Sequence, residues 1–432
     1  MIAATIKTMT PSPASSQATQ AVQPSQPNAG KFALWLVLLA AAGTFAMTMG
    51  TRQTMGLFLS SLNTSTGLGI GSISLAFAFG QLWWGLTQPF AGAVADRIGT
   101  GRVILIGVLL VALGTFITPL MTTTAGLIFA IGVLAAGGAG MAGPSVLMAA
   151  TTRLVAPEKR GLATGIVNAG GSFGQFAMAP IAIGLTATLG WASAMQWLGL
   201  LVVLALPAVW VLKGNSQALA AQAAAASGVK ALTAKEAIRQ ALATPSYRYL
   251  AAGFLVCGFH VAFLATHLPG VVAACGLPAA IGGWALAIIG LFNIIGSLAM
   301  GWAVGRWRMK SLLSLVYATR AVAVLIFLLA PKTPAVMLVF AAVMGVTFLS
   351  TVPPTAGLVA KMFGPANMAM LFGVVMLSHQ IGGFLGAYLG GYIFQATGSY
   401  DWVWYIDIVL AVGAALVNLP IREAHPRAAK LA

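Results

Sequence analysis

Six ionisable side chains fall inside long apolar stretches of this sequence: Arg52, His260, His267, Arg320, His379 and Asp407. A charged group at the middle of a bilayer costs about 3 kcal/mol or more, so each needs a chemical reason. Arg52 offers a planar guanidinium that can grip a carboxylate through two parallel hydrogen bonds. The competing reading is a cation snorkelling to the interface, because the expected bounds of its stretch put it toward one end. His260 and His379 are expected near mid-depth. There an imidazole can donate to an anion, carry a proton near neutrality, or bond to a neighbouring helix. His267 follows seven residues after His260 on a similar helical face, nearer the end, where it would line an entrance. Arg320 and Asp407 are expected within reach of one another as a buried structural ion pair, with substrate binding by Arg320 as the lesser alternative. Asn293 is the strongest mid-depth polar group of its own stretch and completes the candidate binding set of Arg52, His260, His379 and Asn293.

The elements that must carry these residues follow from composition. The chain is 59% hydrophobic and only 6% charged, whereas soluble domains carry about 25% charged residues. Such a chain cannot cover a water-facing surface, and its apolar stretches of about 20 residues are each long enough to cross a bilayer as a helix. Twelve spans are expected, roughly at 33–59, 71–95, 102–121, 125–150, 161–187 and 191–212 in the first half. In the second half they fall roughly at 249–273, 280–304, 311–330, 335–356, 369–395 and 402–420. This gives an all-α membrane protein with an N-terminal bundle over 32–212 and a C-terminal bundle over 249–421. Residues 1–31, rich in Ser, Pro, Gln and Ala, read as a disordered tail rather than a cleaved leader. Residues 213–248 read as a linker with one amphipathic helix near 233–243, and 422–432 as a second tail.

The formal charge of +16 suggests nucleic acid until its distribution is considered. Arg97 and Arg102, then Arg153, Lys159 and Arg160, then the linker cations, then Arg306, Arg308 and Lys310, and then Lys361 occupy alternate loops. Lys7, Lys31, Arg422, Arg427 and Lys430 put both termini on the same side, while the opposite loops hold only Lys332. Basic loops stay in the cytoplasm, so both termini are expected there, in an inner cell membrane, and the charge is a topology signal with no nucleic-acid partner implied. Cys257 and Cys275 flank one expected helix about 27 Å apart, too far for a disulfide.

The two halves resemble each other. GAVADRIGTGR after the second span is echoed 209 positions later by GWAVGRWRMK after the eighth, without the aspartate, and Leu154-Val-Ala recurs as Leu358-Val-Ala. GAVADRIGTGR resembles the loop motif of the major facilitator superfamily, and it lies where that family carries it. Gly92 and Gly99 allow close helix approach and a tight turn. Asp96, with Arg97 and Arg102 beside it, can latch one face of the two bundles by pairing across them. The resemblance implies two pseudo-symmetric six-helix bundles with a substrate site between them. It also implies transport rather than catalysis, no cofactor or metal, and a monomer. KRGLATGIVNAG, starting at Lys159, is similar to the fifth-span signature of monocarboxylate transporters, and small residues continue through Gly171, Ser172 and Gly174.

Some positions depart from that subfamily. The first span carries Arg52 where an acid–glycine–aromatic signature is usual, and the eighth has Asn293 but neither arginine nor aspartate. The six acids are Asp96, Glu158, Glu236, Asp401, Asp407 and Glu423, and none is expected mid-span in a cavity-lining helix. A cavity with cations and histidines but no acids favours anions. The expectation is a carrier of a small organic anion, a monocarboxylate first, by proton symport or anion exchange. A drug or metabolite exporter is the alternative, weakened by the absence of an arginine from Gly126–Ala150. A membrane enzyme or sensor is disfavoured, because His260 and His267 have no neighbouring carboxylate in sequence and the linker is too short for an output domain.

Overall fold

Backbone polar groups in hydrocarbon find no water, so a chain this apolar must satisfy them within helices. The structure is a computed structural model that describes residues 31–152, 160–212, 234–363 and 365–423. Among these the chain is helical throughout and has no strand. Eleven helical stretches are long and apolar enough to cross a membrane. In the first half these are α1 (Leu34–Thr66), α3 (Thr100–Leu120), α4 (Thr124–Met148), α5 (Ala163–Leu189) and α6 (Trp191–Leu212). In the second half they are α7 (Pro245–Ala274), α8 (Ala279–Val304), α9 (Met309–Leu329), α10 (Pro334–Phe363), α11 (Met370–Thr397) and α12 (Asp401–Asn418). Between α1 and α3 lies α2 (Ile70–Ile98), 29 residues long but diluted by Gln81, Thr87, Gln88, Asp96 and Arg97. A short helix, Ala234–Ala243, precedes α7.

Punctuation by glycine and threonine sets the ends. Gly67 takes the left-handed conformation (φ +66°) that closes α1, and Gly99 (φ +97°) turns the chain between α2 and α3, conformations that cost glycine little. Thr123 and Thr333 accept hydrogen bonds from Gly126 N–H and Val336 N–H and so cap α4 and the first part of α10.

Small residues let the helices approach backbone to backbone. A methyl group at Gly174 or Gly170 of α5 would run into the α1 backbone at Ala46 or Ala42. This is the small-residue face expected of the fifth span. In the other half, Gly258 of α7 would meet the His379 carbonyl of α11, and Gly386 would meet that of Phe259. Gly258→Ala should therefore cost about 1–3 kcal/mol, read as a lower Tm in detergent. Gly413→Ala, at a position with open space around it, should leave Tm unchanged.

The bundles touch along α2–α11 and α5–α8, but only over part of their length. At the end away from the chain termini, Gly71 N–H donates to Gln395 Oε1 (2.7 Å) and Gly391 lies against Ser74. Gly283 lies against Ile183 there. Near the middle, Gly85 lies against Gln380, Gly290 against Ser172 and Phe176, and Asn293 Nδ2 donates to Ser172 Oγ (2.8 Å). Two to three turns further toward the termini, on the same helical faces, Gly92, Gly373, Gly165 and Gly301 have no neighbouring atom among the described residues within 4 Å of where a Cβ would stand. The bundles converge at the far end and diverge at the terminal end.

Candidate substrate site

α1 continues past Phe58, through Ser60, Ser61, Asn63, Thr64 and Ser65, to Gly67. Sequence alone places the end of this span near residue 59, short of that polar run. The extension puts Arg52 about 27 Å from Leu34 and about 21 Å from Thr66 along the helix, close to its middle and out of snorkelling reach.

Arg52 is half-buried beside a cavity between the halves. α1 contributes Arg52, Gln53, Met55 and Gly56; α2 contributes Phe77 and Gln81; α4 contributes Ile131; α7 contributes Thr266. The Arg52 Nη2 donates to Gln81 Oε1 (2.5 Å), and its guanidinium stands 4.9 Å from the Trp84 ring centre. No carboxylate takes part. Just beyond Arg52, α1 tightens into a 3-10 turn over Met55–Phe58, where Gly56 meets the backbone of Ala265 and Thr266 on α7. The cavity has ≈20 Å³ of water-accessible space, room for about one water molecule. A carboxylate could enter it only after the helices move apart.

Gln81 and Thr266 join the site from the structure alone. A glutamine one helix away leaves no signal of its own, although seven-residue spacing to Gln88 marks a polar stripe on α2.

The other candidates are not brought together with Arg52. His260 faces the opposite side of α7, where its Nδ1 pairs with Asp407 Oδ1 of α12, both buried. This corrects the expected Arg320–Asp407 ion pair. Arg320 instead donates from Nη2 to the carbonyls of Thr347 and Phe348 (2.9 Å to the latter). α10 breaks between Thr347 and Val352, because Pro353 and Pro354 lack the N–H groups that would continue the ladder. The break leaves carbonyls open, and the buried guanidinium sits where a helix C-terminus favours a cation. Cys257 joins it, 3.0 Å from Thr351 Oγ1. Asn293 also serves the break: Oδ1 accepts from Leu349 N–H (3.1 Å) while Nδ2 reaches Ser172 in the other half.

α4 has a similar interruption at Ala142–Gly143, before Pro144. Thr48 of α1 reaches the Ala142 carbonyl there (3.5 Å), as Cys257 of α7 reaches that of Phe348 (3.8 Å). Cys257 stands 209 positions after Thr48, the offset of the loop repeat. The internal repeat therefore extends to the helix breaks.

His379 is buried with its ring 4.9 Å from that of Phe254. His267 is wholly buried, bonded through Nε2 to the Ala387 carbonyl oxygen (2.7 Å), and so does not line an open entrance in this conformation. In the loop motif, Gly92 borders open space, Gly99 makes the turn, and Arg97 and Arg102 are exposed. The Asp96 side chain and Lys159 lie outside the described residues.

Comparison with known proteins agrees with this architecture. Monocarboxylate transporter 13 of Rattus norvegicus is 25% identical over 402 residues, covering 89% of each chain. The oxalate:formate antiporter of Oxalobacter formigenes is 25% identical over 169 residues, 39% of this chain and 40% of its own. Among solved structures, a bacterial homolog of the human lysosomal transporter Spinster, in an inward-facing and occupied conformation, superposes with a TM-score of 0.70 at 15% identity. That match covers 90% of this chain and 97% of the other. The profile of the Major Facilitator Superfamily matches residues 34–333 and 250–431. With two helical bundles that meet around a buried cavity, and a family match along nearly its whole length, this chain is a multi-pass membrane transporter belonging to the Major Facilitator Superfamily.

Proposed function

We propose that this transporter carries a small organic anion, a monocarboxylate first, by alternating access, and that Arg52 holds the carboxylate. The observation that carries this reading is a guanidinium near the middle of α1, at the cavity between the halves, whose partners are an amide and an aromatic ring rather than an acid. A carboxylate there would gain two charge-assisted hydrogen bonds that the empty site lacks. The names of the relatives, a monocarboxylate transporter and an oxalate:formate antiporter, point the same way.

In this reading the chain spans a bacterial inner membrane twelve times, α2 included, with both termini in the cytoplasm. The divergent end is then the cytoplasmic opening. The motif Gly92, Asp96, Arg97, Gly99 and Arg102 sits at that opening and latches it when the bundles close there. The test is uptake of labelled lactate, pyruvate and oxalate into proteoliposomes, with lactamide and pyruvamide as neutral isosteres. Uptake of at least one acid, with its amide excluded, supports the reading. Equal transport of acid and amide, or no acid uptake above protein-free vesicles, sinks it.

A further inference from the structure

The partner of Arg52 is neutral where an acid would fit. Gln81 Oε1 sits 2.5 Å from the guanidinium, and a glutamate at that position would place a carboxylate oxygen at the same spot. The remaining polar lining, Gln53 and Thr266, is uncharged as well. On α1, α2, α4 and α7, which line the cavity, and on α5, α8 and α11, which close the interface, the only acid in the sequence is Asp96. It lies 15 residues beyond Gln81, about 22 Å along α2. The empty site therefore holds one unbalanced positive charge.

That charge matters when the bundles change partners. In the present arrangement the cavity lies in the converged part of the molecule, and the divergent end reaches it only after the mid-depth contacts of Gly85 and Gly290 part. To open the far end, the terminal end must close, and at some point Arg52 is sealed from water on both sides. An unpaired cation sealed in a low-dielectric interior is costly, and a bound carboxylate removes most of that cost. The loaded protein should switch readily and the empty one slowly.

We propose that Gln81 sets the transport mode: by leaving Arg52 without a counter-ion when the cavity is empty, it makes the protein an exchanger that reorients only with an anion bound. This rests on the reading that Arg52 holds the anion. A carboxylate at position 81 would neutralise the empty site, release the empty carrier to return, and compete with the transported anion for the guanidinium.

The test uses the full chain in proteoliposomes loaded separately with labelled lactate, pyruvate or oxalate, with potassium and valinomycin to clamp the potential. Two rates are measured for each anion: efflux into anion-free medium, and efflux into medium containing the same unlabelled anion. In the wild type, exchange should exceed net efflux by at least about tenfold. In Gln81→Glu that ratio should fall toward unity and half-saturation should shift to higher concentration, whereas Gln81→Asn, still neutral, should keep a high ratio. Net efflux as fast as exchange in the wild type overturns the proposal while leaving the Arg52 reading intact. A Gln81→Glu variant that keeps the wild-type ratio overturns it as well. If none of the three anions moves in the wild type by either measure, the Arg52 reading falls and this proposal with it. If Gln81→Glu fails to fold, Gln81→Asp supplies the carboxylate in its place, with the same fall in ratio expected and an unchanged ratio overturning the proposal.

Discussion

Arg52→Ala should abolish transport of every anion that the wild-type protein carries. A desolvated charge pair that loses one partner forfeits about 2–5 kcal/mol, which corresponds to a fall of roughly 30- to 5000-fold in uptake at low substrate concentration. The fold should survive, because among the described residues Arg52 takes part in no ion pair and its guanidinium bonds only to Gln81 and Met49. Removing a cation from the middle of a span should leave Tm unchanged or raise it. Arg52→Lys separates charge from geometry: it keeps the positive charge but loses the planar fork and the face-on approach to Trp84, so intermediate rates are expected. Uptake kinetics beside a thermal melt of each purified variant make the check. Wild-type rates in Arg52→Ala would remove this residue from the site.

Asp407→Ala should be the most damaging single change to stability. His260 and Asp407 are each 1% exposed and pair with each other. Breaking a buried pair by deleting one member costs about 3–5 kcal/mol, because the other is left without its partner in a dry interior. Replacing both, as His260→Leu with Asp407→Leu, removes the polar groups together and should recover most of that loss. The recovery shows in Tm and in the yield of monodisperse protein. The double variant also tests whether His260 has a direct part in transport. If it folds and carries anions at the wild-type rate, His260 acts only as structure, and a folded but inactive double variant would restore a role in transport.

The sequence reveals most of the architecture because lipid imposes a simple rule. Apolar stretches must be helices, and the glycines and charged loops between them mark the turns. Gly67, Gly99 and Gly190 all fall between helices and adopt positive φ. Arg52 stands out because an arginine in a span needs a reason. The misreadings come from places where helix and pattern part company. The run from Ser60 to Ser65 is polar enough to pass for a loop, yet it extends α1 and re-centres Arg52. Sequence spacing matches Arg320 to Asp407 because it ranks charges and ignores carbonyls. The contrary signal was present in Ser350-Thr351-Val352-Pro353-Pro354, which reads as a helix start with proline in its first turn. A second helix beginning there implies a first one ending just before it, with unbonded carbonyls for a cation to cap. Gln81 could not be assigned at all, since its role depends on which face of α2 meets α1.

The two helix breaks also differ in a way that bears on mechanics. In α10 the open carbonyls are held by a guanidinium and a thiol, and the Leu349 N–H by an asparagine oxygen, all three side chains buried. In α4 the matching carbonyl of Ala142 has, among the described residues, a single threonine hydroxyl at 3.5 Å, and the helix before it is wound as a π-helix over Ile128–Ala136. One joint is riveted and the other is sprung. When the bundles rock, deformation should concentrate in the N-terminal half, in the helix that lines the cavity beside Arg52, while the C-terminal half swings as the stiffer lever.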